Sequence, residues 1–253
     1  MSAEARVALV TGAGRGIGRA VALRLAAEGH RVALTARTED ELRATAAACG
    51  GDALVLPADV TSAVAVEQVF AAVEDQWGGV DVLVANAGAG TSAPLARTTD
   101  EQWDAMIALN LTAPFRCIRR AVPGMVERGW GRIVAVASVA ALRGEPYVSA
   151  YTAGKHGVLG VVRSAAAELA ATGVTVNAVC PGYVDTPMTD QTVAAIAQRT
   201  GRTPEQARAV LAGKQPNGRL VAPDEVAEAV RFCVANGAVN GQAIVVDGGG
   251  VQA

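Results

Sequence analysis

The sequence is poor in aromatic residues, with three each of Phe, Trp and Tyr, and it holds only two histidines. Its core must therefore be built from small and branched aliphatic side chains, which suit close packing of helices on a sheet. The four cysteines, Cys49, Cys117, Cys180 and Cys233, are scattered and form no C-x-x-C. That spacing gives neither a zinc pattern nor a dithiol pair, so no metal is expected. The thiols read as reduced and mostly buried, as in a cytoplasmic protein. Positive charge is not in excess. The formal net charge is −2, so there is no basic field for nucleic acid or an anionic membrane. No apolar run reaches the ~18–20 residues of a membrane span. Met1 to Arg6 lack the charged-then-apolar pattern of a secretory leader, and the expectation is a cytoplasmic protein.

What the chain does have is Ala, Val and Gly, with 28 glycines and 51% hydrophobic residues over 253 positions. Strand-like and helix-like stretches alternate along it, joined by short loops. This implies one α/β domain over residues 1–253: a single-domain, Rossmann-like, doubly wound parallel sheet of about seven strands with helices on both faces. The expected strands are Val7 to Val10, Arg31 to Ala36, Ala53 to Pro57, Val80 to Ala85, Arg132 to Ala137, Val174 to Val179 and Ala243 to Val246. Helices are expected over Arg19 to Glu28, Glu39 to Cys49, Ala63 to Gln76, Asp100 to Arg128, Tyr147 to Leu169 and Pro223 to Ala235. Pro114 is expected to kink or break the long stretch from Asp100 to Arg128. Asp190 to Gly218 is polar and Ala-rich and reads as two short helices. Residues 189–218 are the expected substrate lid.

Ligands of such sheets bind beyond the carboxyl ends of the strands, and the chemistry-bearing residues fall at that edge. After the first strand comes Thr11-Gly12-Ala13-Gly14-Arg15-Gly16-Ile17-Gly18, then a helix. Glycines let backbone N–H groups approach a pyrophosphate, and the helix start offers unpaired donors. No Lys-Ser/Thr pair follows the last glycine, so this is not a triphosphate loop. The second strand ends in Ala36-Arg37, where NAD-preferring proteins carry an acid for the ribose 2′-hydroxyl. Arg37, with Arg15 as a second cation, suits a 2′-phosphate. NADP(H) is therefore expected in preference to NAD(H). Asp59-Val60 ends the third strand, at a position suited to the adenine, and Asn86-Ala87-Gly88 ends the fourth.

Tyr151 and Lys155 stand four residues apart in an expected helix. Alone, this is equally an exposed Tyr beside an exposed Lys. As chemistry, it is a general acid with its pKa lowered by a fixed cation. Free Tyr titrates near ~10, and a drop of ~2–3 units needs about 3–4 kcal/mol. A positive charge about 4 Å away supplies on the order of 4 kcal/mol at an effective dielectric near 20. Asn110 lies within the long helical stretch, Ser138 ends the fifth strand, and Pro181-Gly182-Tyr183-Val184-Asp185-Thr186 follows the sixth.

Taken in order, these motifs resemble the short-chain dehydrogenases/reductases over nearly the whole chain. Thr11-Gly12-x-x-x-Gly16-x-Gly18 is similar to the family's cofactor loop, Asn86-Ala87-Gly88 to its central motif, and Ser138 with Tyr151-x-x-x-Lys155 to its catalytic set. The resemblance implies that Tyr151 exchanges a proton with the substrate oxygen and that Ser138 holds that oxygen. Lys155 would lower the phenol pKa and bind the nicotinamide ribose, and Asn110 would position a relay water. Thr186 and the Val184 backbone would orient the carboxamide, Asp59 and Val60 would contact adenine, and Asn86 the adenosine ribose side. Within the family the chain is similar to β-ketoacyl carrier-protein reductases and aromatic-polyketide ketoreductases. The substrate is then a small-molecule ketone or alcohol, and a homotetramer is implied. Arg143, Tyr147 and Tyr183 are the candidate substrate contacts; Arg143 either meets a substrate anion or pairs with Glu145. Hydroxybutyrate dehydrogenases usually carry a His shortly after the catalytic Ser, whereas this chain has Val139-Ala140-Ala141. A catabolic alcohol dehydrogenase is the second reading. A non-catalytic redox sensor is the third, and the complete set of Asn110, Ser138, Tyr151 and Lys155 argues against it, because a sensor needs no proton donor.

Overall fold

The computed structural model describes residues 5–252; Met1 to Glu4, part of the segment inspected for a leader, lie outside them. Strands β1 (Val7–Thr11), β2 (Arg31–Ala36), β3 (Ala53–Pro57), β4 (Val82–Ala85), β5 (Gly131–Val136), β6 (Val174–Pro181) and β7 (Ala243–Val246) form one sheet. Their order is β3-β2-β1-β4-β5-β6-β7, with every neighbouring pair parallel. The chain starts in the middle, runs outward to β3, then returns to lay β4 on the other side of β1. The junction of β1 and β4 is thus the switch point where such sheets open a crevice for ligands.

Both faces of the sheet are covered. Helices α1 (Gly16–Ala27), α2 (Glu39–Cys49) and α9 (Pro223–Ala235) pack on one, and α3 (Ala63–Trp77), α5 (Ala113–Glu127) and α6 (Ser149–Leu169) on the other. Alternate residues of β1 serve the two layers. Ala8 and Val10 face α1 and α9, while Val7 and Leu9 face α3 and α5. This double burial is why the strands read as unbroken apolar runs rather than as an alternation. The segment between β6 and α9 forms α7 (Pro187–Thr200) and α8 (Pro204–Ala212). These pack on each other through a separate small cluster of Val193, Ala207 and Leu211 with Tyr183, Ile196 and Leu220.

Two local expectations are corrected. The stretch from Asp100 is interrupted, but not at Pro114. α4 (Asp100–Ile107) gives way to a π-helical turn, Ala108–Thr112, before α5 begins. Pro114 lies in the first turn of α5, but the backbone is helical throughout this junction, so its missing N–H leaves a carbonyl of the π turn without that partner. The interruption is the widened turn that carries Asn110. Helix α6 also begins at Ser149 and not at Tyr147. Tyr147 has φ +69°, the only non-glycine in the left-handed region among the described residues, and no right-handed helix can include it.

β1 and β4 are locked at the switch point by a four-bond knot. The Thr11 hydroxyl accepts the N–H groups of Asn86 (3.0 Å) and Ala87 (2.9 Å). The Asn86 amide donates back to the carbonyls of Thr11 (2.9 Å) and Gly12 (3.3 Å). Thr11→Val keeps the shape but leaves the Ala87 N–H without an acceptor and the Asn86 N–H with only the Val84 carbonyl at 3.1 Å. It is expected to cost about 2 kcal/mol or more in urea denaturation, whereas Thr11→Ser, which keeps the oxygen, should stay close to the parent.

Candidate active site

The glycine loop lies where the sheet opens. Gly12 and Gly16 have φ +66° and +54°. A Cβ on Gly18 would stand 2.2 Å from the Gly12 carbonyl oxygen and 2.5 Å from the Asn86 amide nitrogen, so only glycine allows this approach. A Cβ on Gly16 would reach within 3.2 Å of the Thr186 methyl. The loop and the Thr186 segment therefore face each other across the strand ends, while Ile17 packs into the core below. Arg15 caps α1 without a side-chain bond to the helix, so the first-turn N–H groups point outward unclaimed by that side chain. The residues present fit a dinucleotide pyrophosphate. The Asn86 side-chain nitrogen donates to the loop carbonyls of Thr11 and Gly12 and holds the loop in place.

The two candidate 2′-phosphate cations differ in their surroundings. Arg15 pairs with Glu41 at 3.5 Å, both exposed, a contact worth at most about 1 kcal/mol and easily exchanged. Arg37 is exposed at the end of β2, beside Asp59. The Asp59 carboxyl is held below the usual range by the Thr61 backbone N–H and hydroxyl, with a contribution from Arg37. Val60 is buried next to it.

Across the sheet, α6 presents Tyr151 and Lys155 on one face, as their spacing requires. The Lys155 ammonium is buried, donates to the Val136 carbonyl at 2.9 Å and lies 5.7 Å from the Tyr151 ring centre. Ser138 follows β5 directly; its hydroxyl accepts from the Ala140 N–H at 3.1 Å and interacts with the Tyr151 phenol. Asn110, 1% exposed, donates to the carbonyls of Ala89 and Met106, both at 3.0 Å. Its Oδ1 has no partner. A Cβ on Gly88 would sit 3.0 Å from that oxygen and 3.4 Å from the Lys155 nitrogen. The four predicted catalytic residues are thus brought together, with Asn110 and Lys155 meeting around Gly88.

Their electrostatics depart from expectation. Burial pushes the Tyr151 phenol above its ordinary pKa, and the Ser138 hydroxyl offsets part of the rise. Burial pulls Lys155 down to about 8. Desolvation, omitted from the simple Coulomb argument, is the largest cause at both groups. Cys180, which the sequence reading treated only as a buried thiol, sits close enough to Lys155 to feel its charge, and burial raises it to about 11.

Pro181 ends β6, and the Gly182 N–H donates to the Val246 carbonyl at 3.0 Å. Val184 is buried, and its carbonyl accepts from the hydroxyls of Thr186 (3.4 Å) and Thr189. On the substrate side, Arg143 pairs with Glu145 at 2.9 Å and with the Gly250 carbonyl at 3.1 Å. Of its two expected roles, the structure shows the pairing. Tyr183 lies under the helix pair, its hydroxyl accepting from Lys214 at 3.2 Å. Thr11 was quoted only as part of a motif. Its structural role had no signal in composition, because the partner groups are 75 residues away.

Comparison with known proteins agrees with this geometry. The family profile described as short chain dehydrogenase matches residues 6–197. A putative ketoacyl reductase of Streptomyces coelicolor is 42% identical, covering 97% of each chain. A D-beta-hydroxybutyrate dehydrogenase of Rhizobium meliloti is 37% identical over 96% of this chain and 98% of its own. A variant of actinorhodin polyketide ketoreductase, solved with NADPH, superposes with a TM-score of 0.94 at 41% identity, covering 99% of both chains.

The lowered Lys155 pKa makes a stability prediction. Between about 8 and its ordinary value near ~10.4, the unfolded chain holds a proton that the native site has released, so stability rises with pH in that window. Relative to Lys155→Met, whose stability lacks this titration, the parent should gain on the order of 3 kcal/mol from pH 7 to 10.5. The measurement is paired urea denaturation across that range; parallel pH profiles would show that Lys155 titrates normally.

Proposed function

The chain belongs to the short-chain dehydrogenase family, whose members are oxidoreductases acting on hydroxyl and keto groups, and from that premise we propose an NADPH-dependent carbonyl reductase working on a 3-oxoacyl thioester or a related ketone. The observation that carries the reading is the joining of Ser138 and Tyr151, half-buried, with Lys155 and Asn110, which are buried and meet around Gly88. A nicotinamide bound at the strand ends would supply the hydride for the carbonyl carbon. Every other task falls to this chain. Ser138 holds the carbonyl oxygen, and the Tyr151 phenol, kept protonated by burial, gives it a proton as the alkoxide develops. Lys155 steadies the phenolate left behind and offers its remaining N–H groups to a ribose. The free Asn110 oxygen is an acceptor for a water that returns the proton from solvent.

The NADPH preference rests on Arg37 and Arg15 at the adenosine end, with no acid ending β2. Ribose and carboxamide contacts fall to Lys155, Tyr151, Thr186 and the Val184 backbone, and adenine contacts to Asp59 and Val60. Residues 189–218 act as the lid: α7 and α8 are held as one unit by Arg208, which pairs with Asp190 at 2.7 Å and with Asp185 beside the nicotinamide segment. The assembly is a homotetramer. The exposed Trp103, Phe115 and Val126 of α4 and α5, and the open edge of β7 beside Phe232, are the surfaces it would cover. The location is cytoplasmic; no described helix is long and apolar enough to cross a membrane. Relatives named for hydroxybutyrate oxidation favour a second reading, the same chemistry run toward the ketone.

Tyr151→Phe removes the proton donor and should lower kcat by about 10²–10⁴-fold in NADPH oxidation with acetoacetyl-CoA. Undiminished turnover with any ketone would refute the mechanism. Arg37→Asp should move the ratio of kcat/KM for NADPH over NADH at least about tenfold toward NADH; an unchanged ratio would remove Arg37 from the 2′-phosphate site.

A further inference from the structure

A hollow of about 350 Å³ opens between Ser92, Ala93, Pro94, Tyr147 and Arg199. Two walls lead from the catalytic tyrosine. The segment after β4 runs past the Tyr151 ring, which would lie 3.7 Å from a Cβ on Gly90, and two residues later it forms the Ser92 to Pro94 wall. The other wall is Tyr147, just ahead of α6. The walls are tied together by the Ala93 N–H, which donates to the Tyr147 carbonyl at 2.8 Å. Tyr147 holds its left-handed backbone there with its ring 57% exposed. A non-glycine residue kept in that region marks a site where surroundings over-determine the chain.

The third wall comes from the lid. In α7, Thr189 and Val193 are buried, with Ile196 and Ala197 packed beside them, whereas Met188, Thr192, Ala195 and Arg199 are exposed. Those four positions share one face, spaced by four, three and four residues. The stripe runs about 16 Å along the helix, from beside Thr186 to the hollow. Its far end is fixed by contact: the Arg199 guanidinium lies 5.9 Å from the centre of the Tyr147 ring. Two further cations of this region are engaged, Arg143 with Glu145 and Arg208 with Asp185 and Asp190. Among the described residues Arg199 has no ion pair.

We propose that Arg199 is a specificity-determining residue that binds an anionic group of the substrate, in the hollow between Tyr147 and Ser92 to Pro94. The substrate class is a ketone with an apolar body along the Met188 face and a carboxylate or phosphate at its far end. The anion is either the carboxylate of a free oxo acid or a phosphate of a coenzyme-borne thioester. The inference rests on the carbonyl-reductase reading.

The test is NADPH oxidation by the intact protein with an (ω−1)-oxo fatty acid long enough to span the Met188 face, with acetoacetyl-CoA, and with the neutral ethyl ester of that fatty acid. Arg199→Gln should lower the anionic-to-neutral ratio of kcat/KM at least about tenfold, through KM rather than kcat. Arg199→Lys, which keeps the charge, should retain most of the ratio. Rising salt should lower the ratio for the parent and leave it flat for Arg199→Gln. A loss confined to the oxo fatty acid identifies the carboxylate, and one confined to acetoacetyl-CoA the phosphate; both support the assignment. A ratio that stays within about twofold, an equal loss with Lys, or a parent that reduces only the neutral ester overturns it and leaves the reductase reading standing. A parent that reduces none of the three removes that reading and the inference with it.

Discussion

A lysine ammonium kept almost dry at the carboxyl edge of the sheet sets the terms for everything around it. Removing a cation from water costs several kcal/mol unless its protons find acceptors. Here one acceptor is the carbonyl of Val136, the last residue of β5, so the end of a central strand is part of the cation's solvation. The same demand explains Gly88, since a side chain there would crowd both the Lys155 nitrogen and the Asn110 oxygen. It also explains the π turn. An ordinary helix from Asp100 to Glu127 would carry Asn110 at a different angle; the widened turn lets its amide donate to Ala89 and Met106 and leaves Oδ1 free inside the site. Such turns recur at functional positions because they re-aim one side chain at the cost of local helix geometry.

The same dryness accounts for the direction of the tyrosine shift. The Ser138 hydrogen bond and desolvation of the phenolate act in opposite senses, and desolvation is larger. The pair is therefore poised rather than ionised: a phenol that keeps its proton and a lysine that holds its own only weakly. A phenol in this state holds its proton more tightly than a free one. A second polar surface closing over it, such as a ribose with its hydroxyls, would restore solvation to both groups and ease the phenolate.

Much of this was legible in the sequence. β2, α2, β3, α9 and β7 appear with the bounds their patterns imply, because each is closed by unambiguous punctuation: Gly50 after α2, Pro223 at the start of α9, glycines after β7. The catalytic set was legible because i, i+4 spacing and strand ends are local facts. What was hidden depends on distance. The Thr11 to Asn86 knot joins residues remote in sequence, and the balance at Tyr151 needs burial, which periodicity does not give. The π turn was missed for a different reason. Pro114 marks the neighbourhood of the break, but the widening falls just before it, over Ala108–Thr112.

Substrate choice is a separate question from chemistry, and the structure separates the two physically. The proton-transfer groups stand on β5, α6 and the π turn, inside the main packed layer. The walls that a substrate's distal parts would touch come from the loop after β4, from Tyr147 and from α7, which belongs to its own small cluster. Val139-Ala140-Ala141, the place where a histidine would favour a hydroxy acid, is instead a buried 3₁₀ turn with no polar side chain. An anion therefore cannot be met directly beside Ser138, and the charge that could meet one lies further out, on the lid. Residues of α7 and α8 form a cluster separate from the layer that holds Lys155, so changes confined to that cluster leave the packing around the buried lysine in place.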